Sequence, residues 1–416
     1  MVAQNKKPWK GDALRILFLS AEYPPQTGWG GIGSYVACIA PALANRGHDV
    51  HVLSCAAGQS SSDYQEDGIS IHRRPTIRIK GLYRLSGGRG LMAARMLAGV
   101  SAFIHSRRLK VPYDVVEYPE WGAEGWMFAL LRQKPTVAHL HTPTFILYRY
   151  NYASASDVRC ASRFERLSVS RADVVSAPSQ MVADDVASEG WTEGRTIRVI
   201  PHPVDWQRWR GGPKASETEP VVQFSGRLEM RKAPEVLMNA IGILRQDLPQ
   251  VTGCFVGAYM PGSKGTPLIS WASSYNLEGC SFIGHVPRSD LPAILQSCRV
   301  FAQPSLYENY SVAALEAMAC GRPVVVTSKS GIAGFVARAG AGQVVPTEDP
   351  QALADALRPF LTNPGHAAEV GARAQSAVMR ELDGTRIAEL RESLYAEAIR
   401  AHGSNTSVSA SALSSS

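Results

Sequence analysis

The chain has 416 residues, more than one hydrophobic core ordinarily supports, so two domains of similar size are expected. Hydrophobic residues make up 45% and charged residues 19%, which excludes a disordered chain, and no apolar run is long enough to cross a bilayer. The net charge of +7 suits an anionic partner, but charge alone does not choose among nucleic acid, a phospholipid surface and a phosphorylated small molecule.

Residues 1–12 are short, basic and polar and lead straight into the apolar run Leu14 to Leu19, with no signal-peptide pattern ahead of it. The seven cysteines are scattered and form no C-x-x-C pair, so free, mostly buried thiols in a reducing cytoplasm are expected. Leu14 to Ser20 reads as a buried parallel strand, followed by a Pro/Gly-rich loop containing Gly28 to Gly33, a helix over Ser34 to Arg46 and a second strand over His48 to Ser54. Ten basic residues then crowd between Arg73 and Lys110 among Leu, Met, Ile and Phe, a basic amphipathic candidate. Strands follow near Asp114 to Glu117, Thr136 to Leu140, Val174 to Ser176 and Arg198 to Ile200, which makes the first half doubly wound α/β.

Trp206 to Pro220 breaks the periodicity and reads as a linker. Beyond it a second parallel sheet is expected from Val221 to Ser225, Thr252 to Val256, Cys280 to Ile283, Arg299 to Ala302 and Pro323 to Thr327, with helices over Glu235 to Arg245 and Ser311 to Ala319. The chain after Pro350 is helical. The Ser-rich stretch 403–416 is expected to be disordered, and its sequon at Asn405 reads as chance.

Three places can carry chemistry. Gly31 and Gly33 follow the first strand, where backbone amides without Cβ interference can cradle a phosphate, although a purely structural loop explains the glycines equally well. Gly226 and Arg227, with Lys232, place positive charge at the carboxyl end of a strand, where open α/β sheets bind ligands. Glu308 to Glu316 forms an acidic loop running into a helix. If that helix begins near Ser311, its free amides face an anion and Glu316 lies about 8 Å further along. A diphosphate at the helix mouth would put a ribose near Glu316 and a sugar near Glu308.

The Glu308-x7-Glu316 spacing, the flanking Val300 to Ser305 and Gly321 to Val325, and Gly226-Arg227 with Lys232 resemble the retaining glycosyltransferases of family four, glycosyltransferase group 1. Gly30 to Gly33, Ser176 to Ser179, Val199 to Asp205, Phe282 to Val286 and Gly342 to Pro346 fall in that family's order, so the resemblance spans nearly the whole chain. It implies the GT-B fold: two facing Rossmann-like domains with parallel sheets and an interdomain cleft. Residues 1–208 would be the acceptor-side domain and 209–384 the nucleotide-sugar domain. Residues 385–402 would be a helix crossing back, and 403–416 the tail.

It also implies site roles. Arg227 and Lys232 would neutralise the donor diphosphate, with the amides of Asn309, Tyr310, Ser311 and Val312 and the Gly31 to Gly33 loop assisting. Glu316 would hold the ribose, Glu308 and His141 would contact the sugar, and the backbone at Val286 would contact the base. His139 reads as a packing or hydrogen-bonding residue. Two positions depart from the family pattern: Ala233 where glycine is usual, and Gly334 where glutamate is usual.

No D-x-D motif occurs, so neither a metal nor any other cofactor is expected, the nucleotide sugar being a co-substrate. The reading is transfer of a hexosyl group from a UDP- or GDP-linked donor to an acceptor hydroxyl. A nucleotide-sugar epimerase of the same fold is the alternative. No nucleic-acid module is found. The basic stretch 73–110 is assigned to a solvated face or an anionic soluble acceptor in preference to a membrane. Contact with a membrane through that stretch would place the cytoplasmic protein at the inner face.

Overall fold

The computed structural model describes residues 12–26, 30–56, 58, 60–79, 81–82, 90–150, 154–258 and 278–414, with side chains to 404. Gly28, Lys80, Arg84 and Arg89 lie outside the described residues. The chain forms two α/β units. The first runs to Pro203 and takes the chain back from Gly384, and the second holds Val204–Asp383.

The first sheet contains β1 (Arg15–Leu19), β2 (Asp49–Ala56), β3 (Ser62–Glu66), β4 (Ile69–Pro75), β5 (Val115–Pro119), β6 (Thr136–His139), β7 (Val174–Ala177) and β8 (Ile197–Val199). Their order is β3-β4-β2-β1-β5-β6-β7-β8. Only β3 runs antiparallel, in a hairpin with β4. The sequence reading missed that hairpin because Ser62–Glu66 is polar on both faces and carries no apolar alternation. The inner strands are buried on both sides, as a covered parallel sheet requires. Ile16, Phe18, Val50 and Val115 pack on one face against Tyr35, Ile39 and Leu43. Leu17, Leu19, Val116 and Tyr118 pack on the other against Phe128 and Val169.

The second sheet contains β9 (Val221–Ser225), β10 (Thr252–Val256), β11 (Cys280–Gly284), β12 (Val300–Gln303), β13 (Val324–Thr327) and β14 (Gly342–Val345). All pairings are parallel, in the order β11-β10-β9-β12-β13-β14. The order reverses between β9 and β12, and in the first sheet between β1 and β5. Open parallel sheets receive ligands at the carboxyl ends of such strand pairs.

Several boundaries move. The first helix is Gly31–Ala44, so Gly31 and Gly33 form its opening turn instead of a loop. Gly33 permits this start, since a Cβ there would come within 2.8 Å of the Glu22 carbonyl oxygen. The expected linker is ordered structure: Trp206–Trp209 is a helical turn and Trp209 is 1% exposed in the second core. The crossover therefore falls at Pro203–Val204, where Val204 bridges to Asp383, earlier than the expected 208. The last helix, Gly384–Ser414, continues through the segment expected to be disordered. No proline interrupts its hydrogen-bond ladder there.

The basic stretch 73–110 is likewise not one amphipathic segment. Arg73 lies in β4, is 2% exposed and donates to the Tyr23 and Pro24 carbonyls. Arg95, on the helix Gly90–Leu109, is buried against Glu165 at 3.0 Å. Arg78, Arg107, Arg108 and Lys110 are exposed. All seven cysteines are free thiols, three of them buried.

The last helix enters the first core through Ile387, Ala388, Leu394 and Tyr395, and it also brings in a charge. Arg391 is fully buried, with Nη1 3.6 Å from Glu117 Oε1 and donating to Ser176 Oγ at 2.9 Å. Tyr35 and Tyr395 donate to the two oxygens of Glu117 at 2.6 and 2.7 Å. Removing one member of a buried pair leaves the other charged and unpaired. Arg391→Met should therefore lower stability to urea unfolding by about 3–5 kcal/mol. Arg198→Met, which breaks the solvent-exposed pair with Glu397, should change it by less than about 1 kcal/mol. In the second unit a Cβ on Gly371 would come within 2.0 Å of the Gly321 carbonyl oxygen, whereas one on Gly334 meets nothing within 4 Å. Gly371→Ala should cost about 1–3 kcal/mol in the same measurement and Gly334→Ala should cost nothing.

Candidate active site

The carboxyl ends of β9 and β12 carry the charged groups of the second unit. After β9 the backbone passes through Gly226 at φ +151°, and a Cβ on neighbouring Gly257 would lie 2.0 Å from the Gly226 oxygen. The segments leaving the two strands therefore stay in close contact at a point where only glycine fits, with Gly226 N donating to Val256 O and Leu228 N to Ala258 O. A 3-10 turn, Met230–Lys232, follows and ends on Ala233 at φ +46°. This is the left-handed conformation that glycine adopts without strain, a physical reason for the family's preference at that position.

The turn aims Lys232 inward. Lys232 Nζ and Glu308 Oε2 form a direct ion pair, with Glu308 5% exposed. Burial would raise the Glu308 carboxyl, and the charges of Lys232 and Arg231 overcome that and hold it below its ordinary value. Burial pushes the Lys232 amine down, partly offset by Glu308. Arg231, a positive charge of the same run to which sequence reasoning assigned no role of its own, is itself buried: Nη1 lies 3.7 Å from Glu308 and donates to the Tyr307 carbonyl at 2.9 Å, and Nη2 donates to Glu229 at 2.8 Å. Arg227 is different. Its side chain is 56% exposed, and Glu229, at 3.7 Å, is the carboxylate it approaches.

Glu308 is also fixed through its backbone, its N–H donating to the Lys329 carbonyl at 2.9 Å and its carbonyl accepting from Gly331 N at 2.8 Å. Asn309 and Tyr310 lead to Ser311, which caps the helix Val312–Ala319 by accepting from Ala314 N and donating to Gln303 Oε1. Leu315 begins the helical ladder, so the amides of Val312 and Ala313 have no acceptor within the helix. Glu316 points from this helix to Arg288, whose Nη2 lies 2.7 Å from Oε1. Burial raises the Glu316 carboxyl and Arg288 opposes it. Val286, two residues before Arg288, is half-buried just past β11. Gly334 sits in the first turn of the helix Ala333–Ala339.

At the carboxyl ends of β5 and β6 the first unit gathers a different set. His141 is 4% exposed, and its N–H donates to Glu120 Oε2 at 2.6 Å. Burial and the charge of Arg391 lower its imidazole to about 3, so it is a neutral hydrogen-bonding ring. His139 is a buried hydrogen-bonding residue, contacting Ser176 at 2.9 Å, His202 at 3.1 Å and Arg391 at 3.0 Å. Ligand atoms of His139, His141 and His202 lie within 4.8 Å of one another, a grouping their sequence separation concealed. The adjacent guanidinium of Arg391 would repel a dication there. In the loop after β5, burial raises both Glu120 and Glu124 to about 8, and Arg95 lies 4.8 Å from the Trp121 ring centroid.

Comparisons with known proteins place this geometry. The family model for glycosyl transferases group 1 matches residues 205–377, and that for glycosyltransferase family 4 matches residues 29–208. Glycogen synthase of Mycobacterium tuberculosis is 28% identical over 400 residues, covering 93% of this chain and 95% of that protein. A D-inositol 3-phosphate glycosyltransferase of Corynebacterium urealyticum is 29% identical over 383 residues, covering 84% and 88%. Sucrose-phosphate synthase from Thermosynechococcus elongatus superposes with a TM-score of 0.76 at 22% identity, covering 93% of this chain and all of that one. Anabaena HepE, solved with UDP and glucose, gives 0.69 at 22% identity over 92% of this chain and all of that one. With the two family models matching one unit each and relatives aligned over most of their length, the chain belongs to the group 1, family 4 glycosyltransferases, enzymes of GT-B fold.

Proposed function

We propose that this enzyme moves a hexosyl group from a UDP- or GDP-linked donor to an acceptor hydroxyl with retention of configuration and without a metal. The pathway would be synthesis of a cell-envelope glycan, a glycolipid or a natural product. The observation that carries the reading is the buried Lys232–Glu308 pair, with Arg231 and the exposed Arg227 beside it, at the β9/β12 reversal next to a capped helix terminus. The departing diphosphate is the group that gains charge as the glycosidic bond breaks. Fixed cations and amides stabilise that change because they need no reorganisation as it develops.

In this mechanism the acceptor oxygen attacks the anomeric carbon from the face the diphosphate leaves. The carbon–oxygen bond to the phosphate breaks, and the acceptor proton passes to the departing phosphate oxygen. Arg227 and Lys232, with the amides of Val312 and Ala313, hold the diphosphate. Glu308, already ionised and immobile, accepts from hydroxyls of the sugar, and neutral His141 is the sugar-contacting imidazole. Glu316 takes the ribose and the backbone at Val286 the base. Glycosyl transfer is favoured over epimerisation by the relatives, which are named as a glycogen synthase and a glycosyltransferase. The ligands of HepE make UDP-glucose the first donor to try.

Arg227→Ala and Lys232→Ala should each lower kcat by about 10²-fold or more in a donor-consumption assay. Arg227 is the cleaner test because its side chain is exposed and approaches Glu229 only at 3.7 Å, whereas Lys232 is in direct contact with buried Glu308, and wild-type rates in both variants would overturn the assignment. NMR of the product should show the donor's anomeric configuration retained, and an inverted product would reject the same-face displacement. Incubation without acceptor should leave the donor sugar unepimerised.

A further inference from the structure

Glu308 is neutralised from the segment that follows β9, but Glu316 is not, and it draws its counter-charge from the segment after β11. Arg288 Nη2 lies 2.7 Å from Glu316 Oε1. The same guanidinium lies 5.3 Å from the ring centroid of Trp209, which is 1% exposed and whose carbonyl accepts from Gln296 Nε2 at 3.2 Å. The arginine is thus held on one side by a carboxylate with 5% exposure and on the other by a fixed aromatic face. The ion pair uses one carboxylate oxygen. That oxygen, Oε1, has no other partner among the described residues, and Oε2 takes no part in the pair.

We propose that Arg288 is a positioning residue for donor recognition, fixing Glu316 as a carboxylate through Oε1 so that Oε2 accepts from the vicinal hydroxyls of a nucleoside diphosphate ribose. The inference rests on the reading that Glu316 receives the ribose. Its physical basis is that an ionised acceptor forms hydrogen bonds roughly twice as strong as a neutral one. A carboxyl taken out of water keeps its charge only if a partner compensates the lost hydration. Arg288 is that partner, and stacking on Trp209 fixes its own orientation before ligand arrives, so less side-chain freedom is lost on binding. The helical turn carrying Trp209 lies in the stretch that the sequence marks as a linker. The same turn carries Arg208, a second and weaker positive influence on Glu316.

The test is isothermal titration of the full chain with UDP, GDP and ADP, followed by the 2′-deoxy counterpart of whichever binds best. Wild type should prefer the ribonucleotide by about ten- to a hundredfold, the range for hydrogen bonds to a charged group. Arg288→Ala should bring that preference close to unity, as Glu316→Gln should, while affinity for the 2′-deoxy nucleotide stays within about threefold. Arg288→Lys should retain part of the preference, and the double variant should lose no more than either single one. Arg288→Gln, which keeps a polar stem beside Trp209, should also lose the preference, and its melting temperature separates this effect from misfolding. If Arg288→Ala keeps the wild-type preference, or binds the ribonucleotide more tightly, Arg288 has no positioning role and the inference fails while the functional reading stands. If wild type binds none of the three diphosphates, the functional reading fails and takes this inference with it.

Discussion

Charge is withdrawn from water inside both units, and the arrangement around it follows from the need to compensate it. In the first unit the compensated charge is Arg391 against Glu117, supported by two tyrosine hydroxyls. In the second it is Lys232 and Arg231 against Glu308. An ion moved into a poorly polarisable interior loses several kcal/mol of hydration, and only close, well-aligned partners make up for it. The partners are far apart in sequence, so each pair also ties distant segments into one unit.

For the second unit this compensation amounts to preorganisation. Glu308 is anchored by its side chain and by both backbone groups, and Ser311 caps the following helix by accepting from Ala314 N while donating to Gln303 at the end of β12. A site built this way presents a carboxylate and free amides in fixed directions. Arg227 supplies the opposite quality. Exposed and only loosely paired, it can follow an arriving anion without first giving up a strong partner. A buried clamp and a mobile cation together suit a ligand whose charge changes during reaction.

The first unit takes up its basic residues in the opposite way. Arg73 and Arg95, which looked from composition like part of a cationic surface, are consumed by carbonyls and by Glu165 inside the fold. In the loop after β5 burial instead raises the Glu120 and Glu124 carboxyls to about 8, and beside Glu120 burial and Arg391 lower the His141 imidazole to about 3. Neutral hydrogen-bonding groups of this kind are the chemistry that recognises hydroxyls.

Much was legible in the sequence because it depends on neighbours along the chain. Apolar runs such as Val324–Thr327 set strands, and periodic stretches such as Pro350–Thr362 set helices. The spacing of Glu308 and Glu316 marked the site, and glycine at 226 marked a turn that side chains cannot take. What stayed hidden depends on contacts between segments. Nothing local distinguishes buried Arg231 from exposed Arg227, identifies Arg288 as the partner of Glu316, or shows that Trp209 lies in a core. The hairpin Ser62–Pro75, the trio of His139, His141 and His202, and the role of Arg391 emerge only when strands and helices are brought together. By itself, the sequence determined the two α/β units and the positions of the glycines and carboxylates at the ends of their strands. Only the tertiary structure decided which charges are buried and with whom they pair, because the cost of removing an ion from water is set by its surroundings in space.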